Sequence, residues 1–243
     1  MKSLETLATC FLPKDEWFSP GPEKARQAGT TGYSGGMART SKNRLAKKSV
    51  PPRWRKEVER ILIPENRIAR RVRSLAREIE RDFRGRETVV VSLLNGTVMF
   101  LADLMRHLSL PLRLDFMGVS SYGAGTESGE LVFTKELRLD MRGRDVLLID
   151  DILDTGKTLS RVLPKLRALK PRRIKICVLL DKPARRVEKI EADYVGFAIP
   201  DFFVVGYGLD FAERYRNLPF VGVLYPHVYQ QACRRVNETL GRP

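Results

Sequence analysis

Three stretches of the chain contain unbroken or nearly unbroken apolar runs: "ETVVVSLL" (87–94), "RGRDVLLID" (142–150) and "RRIKICVLLD" (172–181). A strand with one face in water alternates apolar and polar residues. A continuous run of Val, Ile and Leu suits a strand buried on both faces, as in a parallel sheet covered by helices. Helical patterns fall between these runs. Pro64-Glu65 opens a helix whose Ile68, Val72, Leu75 and Ile79 recur at i, i+4, i+7 and i+11. "TVMFLADLMRHL" (97–108) and "TGKTLSRVLPKLRAL" (155–169) read as two more helices, and "LRLDFMGVSSY" (112–122) as another strand. "SYGAGTESGE" (121–130) is a Gly/Ser loop, and "ADYVGFAIPDFFVVGYGLD" (192–210) supplies two short final strands. Strands alternating with helices mean an α/β domain with a largely parallel twisted sheet flanked by helices.

Charge divides the chain unevenly. Of a net +15, residues 1–56 hold +8, from 12 Lys/Arg against 4 Asp/Glu. Residues 18–53 are rich in Gly, Ser, Thr, Pro and Lys/Arg and bury too little apolar surface to offset ordering entropy. Residues 1–56 are therefore expected to form a disordered basic N-terminal extension, and residues 57–243 the folded domain. The extension is either a solvated tail or a contact for nucleic acid or a charged surface, and Met37 is an alternative start.

Cys10, Cys177 and Cys233 lack the C-x-x-C spacing of a zinc or redox site, and two histidines are too few for a histidine metal cluster. The longest apolar run, 89–105, is interrupted by Ser92, Asn95, Gly96 and Thr97, which argues against a membrane span. With no signal pattern at the N-terminus, the expected location is cytoplasmic.

"IDDILDTGKT" (149–158) ends like a nucleoside-triphosphate loop, G-x-x-x-x-G-K-[ST]. Five residues before Gly156, however, stands Asp151, where that loop requires glycine. A carboxylate there would repel a triphosphate. Asp150 and Asp151 lie instead at the carboxyl end of a strand, where open α/β sheets bind ligands. The turn after them leads into a helix N-terminus, whose free N–H groups suit one phosphate monoester. Carboxylates beside such a cradle suit vicinal hydroxyls and Mg²⁺. Together these describe a ribose 5-phosphate site.

"VLLIDDILDTGKTL" (146–159) resembles the 5-phosphoribosyl 1-diphosphate (PRPP) motif of type I phosphoribosyltransferases. "LLNGTVMFLADL", Leu114-Asp115-Phe116-Met117, "SSYG", "LLDKPARR" and "IPDFFVVGYGLDFAERYRNLPF" narrow the resemblance to bacterial hypoxanthine-guanine phosphoribosyltransferases, over about residues 59–224. The resemblance implies the type I phosphoribosyltransferase fold, with a small hood built from the C-terminal part. It implies transfer from PRPP to hypoxanthine or guanine, giving IMP or GMP and pyrophosphate, with Mg²⁺ as cofactor and a homodimer or homotetramer as assembly.

Residue roles follow from the same resemblance. Asp150 and Asp151 would bind the ribose hydroxyls and Mg²⁺, and Asp154 would accept the purine N7 proton. Thr155, Gly156, Lys157 and Thr158 would hold the 5′-phosphate, with Lys157 facing away or assisting electrostatically. Lys182 would donate to O6 of the purine, Phe203 would stack on its face, and Val204 would offer backbone groups to its 2-position edge. Asp210 would hold a second Mg²⁺, and Arg216 would neutralise pyrophosphate. Asn95-Gly96 matches a loop whose backbone binds pyrophosphate, often through a non-proline cis peptide. The family usually carries Lys or Arg at the first position, so Asn95 removes one charge. Ser121 and Tyr122 begin a loop that closes over the site. The alternative function is a PRPP- or nucleotide-sensing regulator of the same fold that binds nucleic acid.

Overall fold

The computed structural model describes residues 50–121 and 131–230. Six strands form the main sheet, in the order β4-β3-β2-β5-β6-β7. They are β2 (Thr88–Leu94), β3 (Leu112–Ser121), β4 (Leu131–Lys135), β5 (Asp145–Leu153), β6 (Arg173–Asp181) and β7 (Tyr194–Ala198). Four neighbouring pairs are parallel, and only β4 runs antiparallel, against β3. The helices are α1 (Glu65–Phe83), α2 (Val98–Met105) and α3 (Lys157–Ala168).

The two-residue period of a strand explains why the runs are apolar throughout. In β5, Leu147 and Ile149 join a core containing Ile68, Leu75, Ile79 and Phe83 of α1, while Val146 and Leu148 join a second core with Leu159, Val162 and Leu166 of α3. Cys177 and Leu179 of β6 face the first core, and Ile176 and Val178 the second. Burial on both faces demands an apolar side chain at each position. It also pushes the Cys177 thiol pKa up, so this cysteine is an inert core residue.

The hood is an antiparallel sheet, β1-β9-β8, made of β1 (Val58–Ile63), β8 (Val204–Val205) and β9 (Val221–Leu224). It therefore draws on both ends of the domain: β8 and β9 come from the C-terminal part, and β1 precedes α1. Strands β1, β4 and β9 were not among the expected elements. β1 carries Glu59 and Arg60 side by side after Val58 and has only intermediate exposure along its middle, so it lacks the signal of a doubly buried strand.

Packed residues precede residue 57. Val50 is fully buried, Arg55 Nε donates to the Val50 carbonyl at 2.9 Å, and the Trp54 ring packs 5.4 Å from that of Tyr215. Residues 50–56 thus pack on the hood, and the part of the 18–53 segment from Val50 onward is ordered. A composition average over that segment hides the anchoring Val50 near its end, and Trp54 follows just beyond it. The expectation of disorder for residues 1–49, and the alternative start at Met37, lie outside the described residues.

Candidate active site

β2, β3, β5 and β6 run parallel, so their carboxyl ends open on one edge of the sheet. That edge gathers Asn95-Gly96 after β2, the acidic pair at the end of β5, and Lys182 after β6. A pocket of about 250 Å³ opens there, and its walls include Gly96, Asp150, Asp151, Asp154, Gly156 and Thr158. Thr155 also lines it, whereas Lys157 is exposed and does not.

Asp150 is 7% exposed. Burial pushes its carboxyl well above the usual range, and the neighbouring Asp151 charge adds to the effect. Burial also raises Asp151, against hydrogen bonds and the attraction of Arg216. The Asp151 N–H donates to Asp150 Oδ1 at 3.0 Å, and the Ile152 N–H donates to Asp151 Oδ1 at 2.8 Å. Two adjacent carboxylates raised by burial suit a cation or hydroxyl donors. Among the described residues, no group of three or more His, Cys, Asp or Glu could hold a metal alone. A pair of carboxylates is a donor set that Mg²⁺ accepts when water and substrate phosphates supply its remaining ligands.

The turn Asp154–Thr158 is shaped by Gly156, whose φ of +85° favours a residue without a Cβ. The Thr155 carbonyl accepts from the N–H groups of Val187 and Glu188, each at 3.0 Å, so the 183–190 loop supports the turn from behind. The turn leads directly into α3, whose first N–H groups have no partner within the helix, and the Lys157 N–H donates to Thr155 Oγ1 at 3.4 Å.

Asp154 Oδ1 is buried and accepts no hydrogen bond, although Arg185 Nε stands 3.3 Å away as an ion pair. An acceptor desolvated in this way is ready for a ligand donor. Lys182 is 5% exposed, and its Nζ lies 3.7 Å from Asp201 Oδ1. Burial lowers its pKa, while Asp154 and Asp201 pull the other way.

At the opposite end, the Leu94–Asn95 peptide is cis and the Asn95 side chain is exposed. A Cβ on Gly96 would lie 1.7 Å from Asp151 Oδ2, so only glycine fits between the loop and the acidic pair. Gly208, with φ +101°, packs on the other side, where a Cβ would sit 2.0 Å from the Gly96 carbonyl oxygen. Gly208 was not anticipated. A glycine in "GYG" is unremarkable until the fold brings it against a distant turn. Arg216 Nη1 donates to the Gly208 carbonyl at 2.9 Å, and Nη2 pairs with Asp210 Oδ1 at 2.9 Å. Burial raises the Asp210 carboxyl, and Arg216 opposes that.

Other expected positions stand apart from the pocket walls. Lys182, Phe203, Val204, Asp210, Arg216 and Asn95 do not line it. Phe203 packs in the hood core, its ring stacked 4.7 Å from Tyr229 and edge-on to Phe211 at 5.4 Å. One face of that ring is therefore covered, and a purine would need the other. Val204 is buried in β8, paired with Val223. Ser121 ends β3, while Tyr122 and the rest of the 121–130 loop lie outside the described residues.

A parallel sheet whose carboxyl edge joins a glycine-shaped turn at a helix start to a buried acidic pair fits a phosphoribosyltransferase. The phosphoribosyl transferase domain family matches residues 60–212, and the chain belongs to that family. It is 47% identical over 175 residues to the hypoxanthine-guanine phosphoribosyltransferase of Bacillus subtilis, covering 72% of this chain and 97% of that one. It is also 47% identical over 176 residues to the bifunctional protein TilS/HprT of Listeria monocytogenes, but spans only 27% of that longer protein. A hypoxanthine phosphoribosyltransferase structure from Staphylococcus aureus superposes with a TM-score of 0.70 at 43% identity, covering 74% of this chain and 99% of that one. No helix among the described residues is long and apolar enough to cross a membrane.

Proposed function

We propose that the protein is a purine salvage enzyme that transfers the 5-phosphoribosyl group of PRPP to hypoxanthine or guanine, forming IMP or GMP. The purine N9–C1′ bond forms, the bond from C1′ to the pyrophosphate oxygen breaks, and pyrophosphate leaves. The observation that carries this reading is the buried Asp154 Oδ1, which has no hydrogen bond, lines the phosphate pocket and lies in the field of the buried Lys182. An acceptor there can take the purine N7 proton as N9 attacks, and a cationic donor beside it matches a 6-oxo group.

Asp150 and Asp151 hold the ribose hydroxyls, and the Thr155–Thr158 turn holds the 5′-phosphate through backbone N–H groups. Lys157, exposed beyond the pocket, contributes only long-range charge. Mg²⁺ at the acidic pair would supply charge neutralisation for the PRPP phosphates; Asp210, paired with Arg216, would reach a second ion only by sharing that carboxylate. Arg216 and the Gly96 backbone face the departing pyrophosphate. Phe203 and Val204 border the purine from the hood. Ser121 and Tyr122 begin the loop that shuts out water during transfer. The enzyme works in the cytoplasm as a dimer or tetramer. The alternative, a regulator of this fold, finds no support among the relatives, which are named as transferases.

The test is direct. The protein is incubated with PRPP, Mg²⁺ and each purine in turn, and nucleotide formation is followed. IMP or GMP should appear with hypoxanthine or guanine; PRPP binding without nucleotide would overturn the reading in favour of a sensor.

A further inference from the structure

Glu57 joins the N-terminal segment to β1, and both parts of the residue hold the far end of the domain. Its carboxylate accepts from the Tyr215 hydroxyl at 2.7 Å and from Arg214 Nη2 at 3.1 Å through each oxygen. Its carbonyl accepts from the Tyr225 N–H at 2.9 Å. Trp54, on the same segment, packs against the Tyr215 ring. Tyr215 is 2% exposed, and burial together with Glu57 pushes its hydroxyl up to about 12.

The loop held by these contacts has an uncommon backbone. Ala212, Glu213 and Tyr215 have φ of +52°, +59° and +77°, a region that L side chains rarely adopt. Phe211 and Arg214 exchange backbone hydrogen bonds of 3.2 and 3.1 Å across the two central residues, closing a tight turn without glycine. Such a conformation persists only where its surroundings hold it. The side chains that flank the turn are Asp210 and Arg216, which pair with each other, and Arg216 also reaches the Gly208 carbonyl against Gly96.

We propose that Glu57 is a positioning residue for the pyrophosphate end of the site. Through Tyr215 and Arg214 it holds the left-handed turn, and the turn sets Arg216 and Asp210 against Gly96 and Asp151. The inference rests on the reading that this end takes the pyrophosphoryl part of PRPP. Glu57 lies before the family-matched residues 60–212 and its two partners lie after them, so the clamp closes the matched region from outside. Removing the acceptor leaves a buried hydroxyl unpaired and frees a turn that would relax from left-handed geometry.

The experiment compares the full chain with its Glu57→Gln, Tyr215→Phe and double variants in forward and reverse kinetics. Each single variant should raise the KM for PRPP and for pyrophosphate by about tenfold, the scale of one lost hydrogen bond to a charged group. The purine KM should change by less than about twofold. The double variant should be no worse than Glu57→Gln alone, because the Tyr215 hydroxyl is one of the two side-chain partners that the Glu57 carboxylate already serves. A lowered melting temperature with unchanged KM values, or equal rises in the purine and PRPP KM values, would reduce Glu57 to a structural role. If Glu57→Gln does not fold, Tyr215→Phe keeps the ring packing and carries the same comparison. If the wild-type chain forms no nucleotide, the functional reading fails separately. Calorimetric pyrophosphate affinity of the same variants then decides the positioning role: a tenfold loss supports it, and equal affinities overturn it.

Discussion

Arg186 donates through Nε to the main-chain carbonyl of Asp154 at 3.0 Å. The same guanidinium donates to the Leu153 carbonyl at 3.3 Å, bonds to the Ile190 carbonyl and pairs with Asp181. One planar fork therefore ties the end of β5, the end of β6 and the 183–190 loop together behind the site. Lysine keeps the charge but cannot span these acceptors. Arg186→Lys should lower kcat by about tenfold or more, on the view that misplacing a reacting group by about an ångström costs up to about a hundredfold. Steady-state kinetics decides it, and a variant with wild-type kcat would show that the turn holds itself.

Asp154→Asn tests the base. An amide cannot accept the N7 proton, so turnover should fall by roughly 10²-fold or more while PRPP still binds. Isothermal titration with PRPP and Mg²⁺, run beside the kinetics, separates loss of chemistry from loss of binding. Near-normal turnover would take Asp154 out of the catalytic role.

Lys182 is the expected source of selectivity. On the proposed reading, its buried side chain would donate to an acceptor at the purine 6-position and leave the amino group of adenine unmatched. Adenine should react more slowly than guanine by at least about 10³ in kcat/KM. Equal rates would show that Lys182 does not read the 6-position.

Acid stability should report on Asp115. Burial alone would raise its carboxyl, but the N–H groups of Arg138, Leu139 and Phe116 and the Lys135 ammonium outweigh that and hold it down at about 2. The unfolded carboxyl titrates near about 3.9, so between these values the unfolded chain binds more protons than the folded one. The stabilisation is therefore complete above about pH 4 and is lost as pH falls through about 2. Asp115→Asn should be less stable at pH 7 by roughly 1–3 kcal/mol, and the gap should close at low pH. Urea denaturation at several pH values measures this; parallel curves for the two proteins would contradict it.

The doubly buried strands and the acidic cradle were readable because each is written in one short contiguous stretch. Burial on two faces leaves a run such as "VVVSLL", and the strand-end turn carries its carboxylates and glycine within a few residues. β1 and β4 lie at the edges of their sheets, so their patterns are weak, and β9, though buried throughout, has only four residues in which to show one. Gly208, Arg186 and Glu57 were not readable for another reason. Their roles arise only when distant segments meet, as when Glu57 and Tyr215 bond across 158 positions. Phe203 shows the limit of a motif: the residue type matched, but the motif could not foretell the Tyr229 ring on one of its faces.

That ordered N-terminal stretch sharpens a prediction about the basic arm. Removing residues 1–49 keeps Val50, Trp54 and Glu57, and turnover should stay within about twofold, since a solvated arm adds nothing to transition-state binding. The same truncation should weaken any salt-sensitive binding to RNA or DNA, because phosphate contacts scale with the Lys/Arg present. Removing residues 1–57 should instead raise the KM for PRPP. Truncation to residue 49 that costs tenfold in turnover would mean the arm itself packs on the enzyme.

The contact between Gly96 and Gly208 bears on how such a protein can evolve. Every amino acid one base change from a glycine codon carries a Cβ, and at these two positions that atom would fall 1.7 Å from Asp151 Oδ2 or 2.0 Å from the Gly96 carbonyl oxygen. Neither neighbour is the end of a long side chain that could swing aside; one belongs to the acidic pair and the other is backbone. No single mutational step away from glycine is therefore neutral at either place, and no substitution at one can compensate for the other. Asn95, next in the chain with its side chain in solvent, meets no such wall. Drift at this end of the site is channelled into that one outward-facing position, where charge can be gained or lost without disturbing the backbone that lies against the acidic pair.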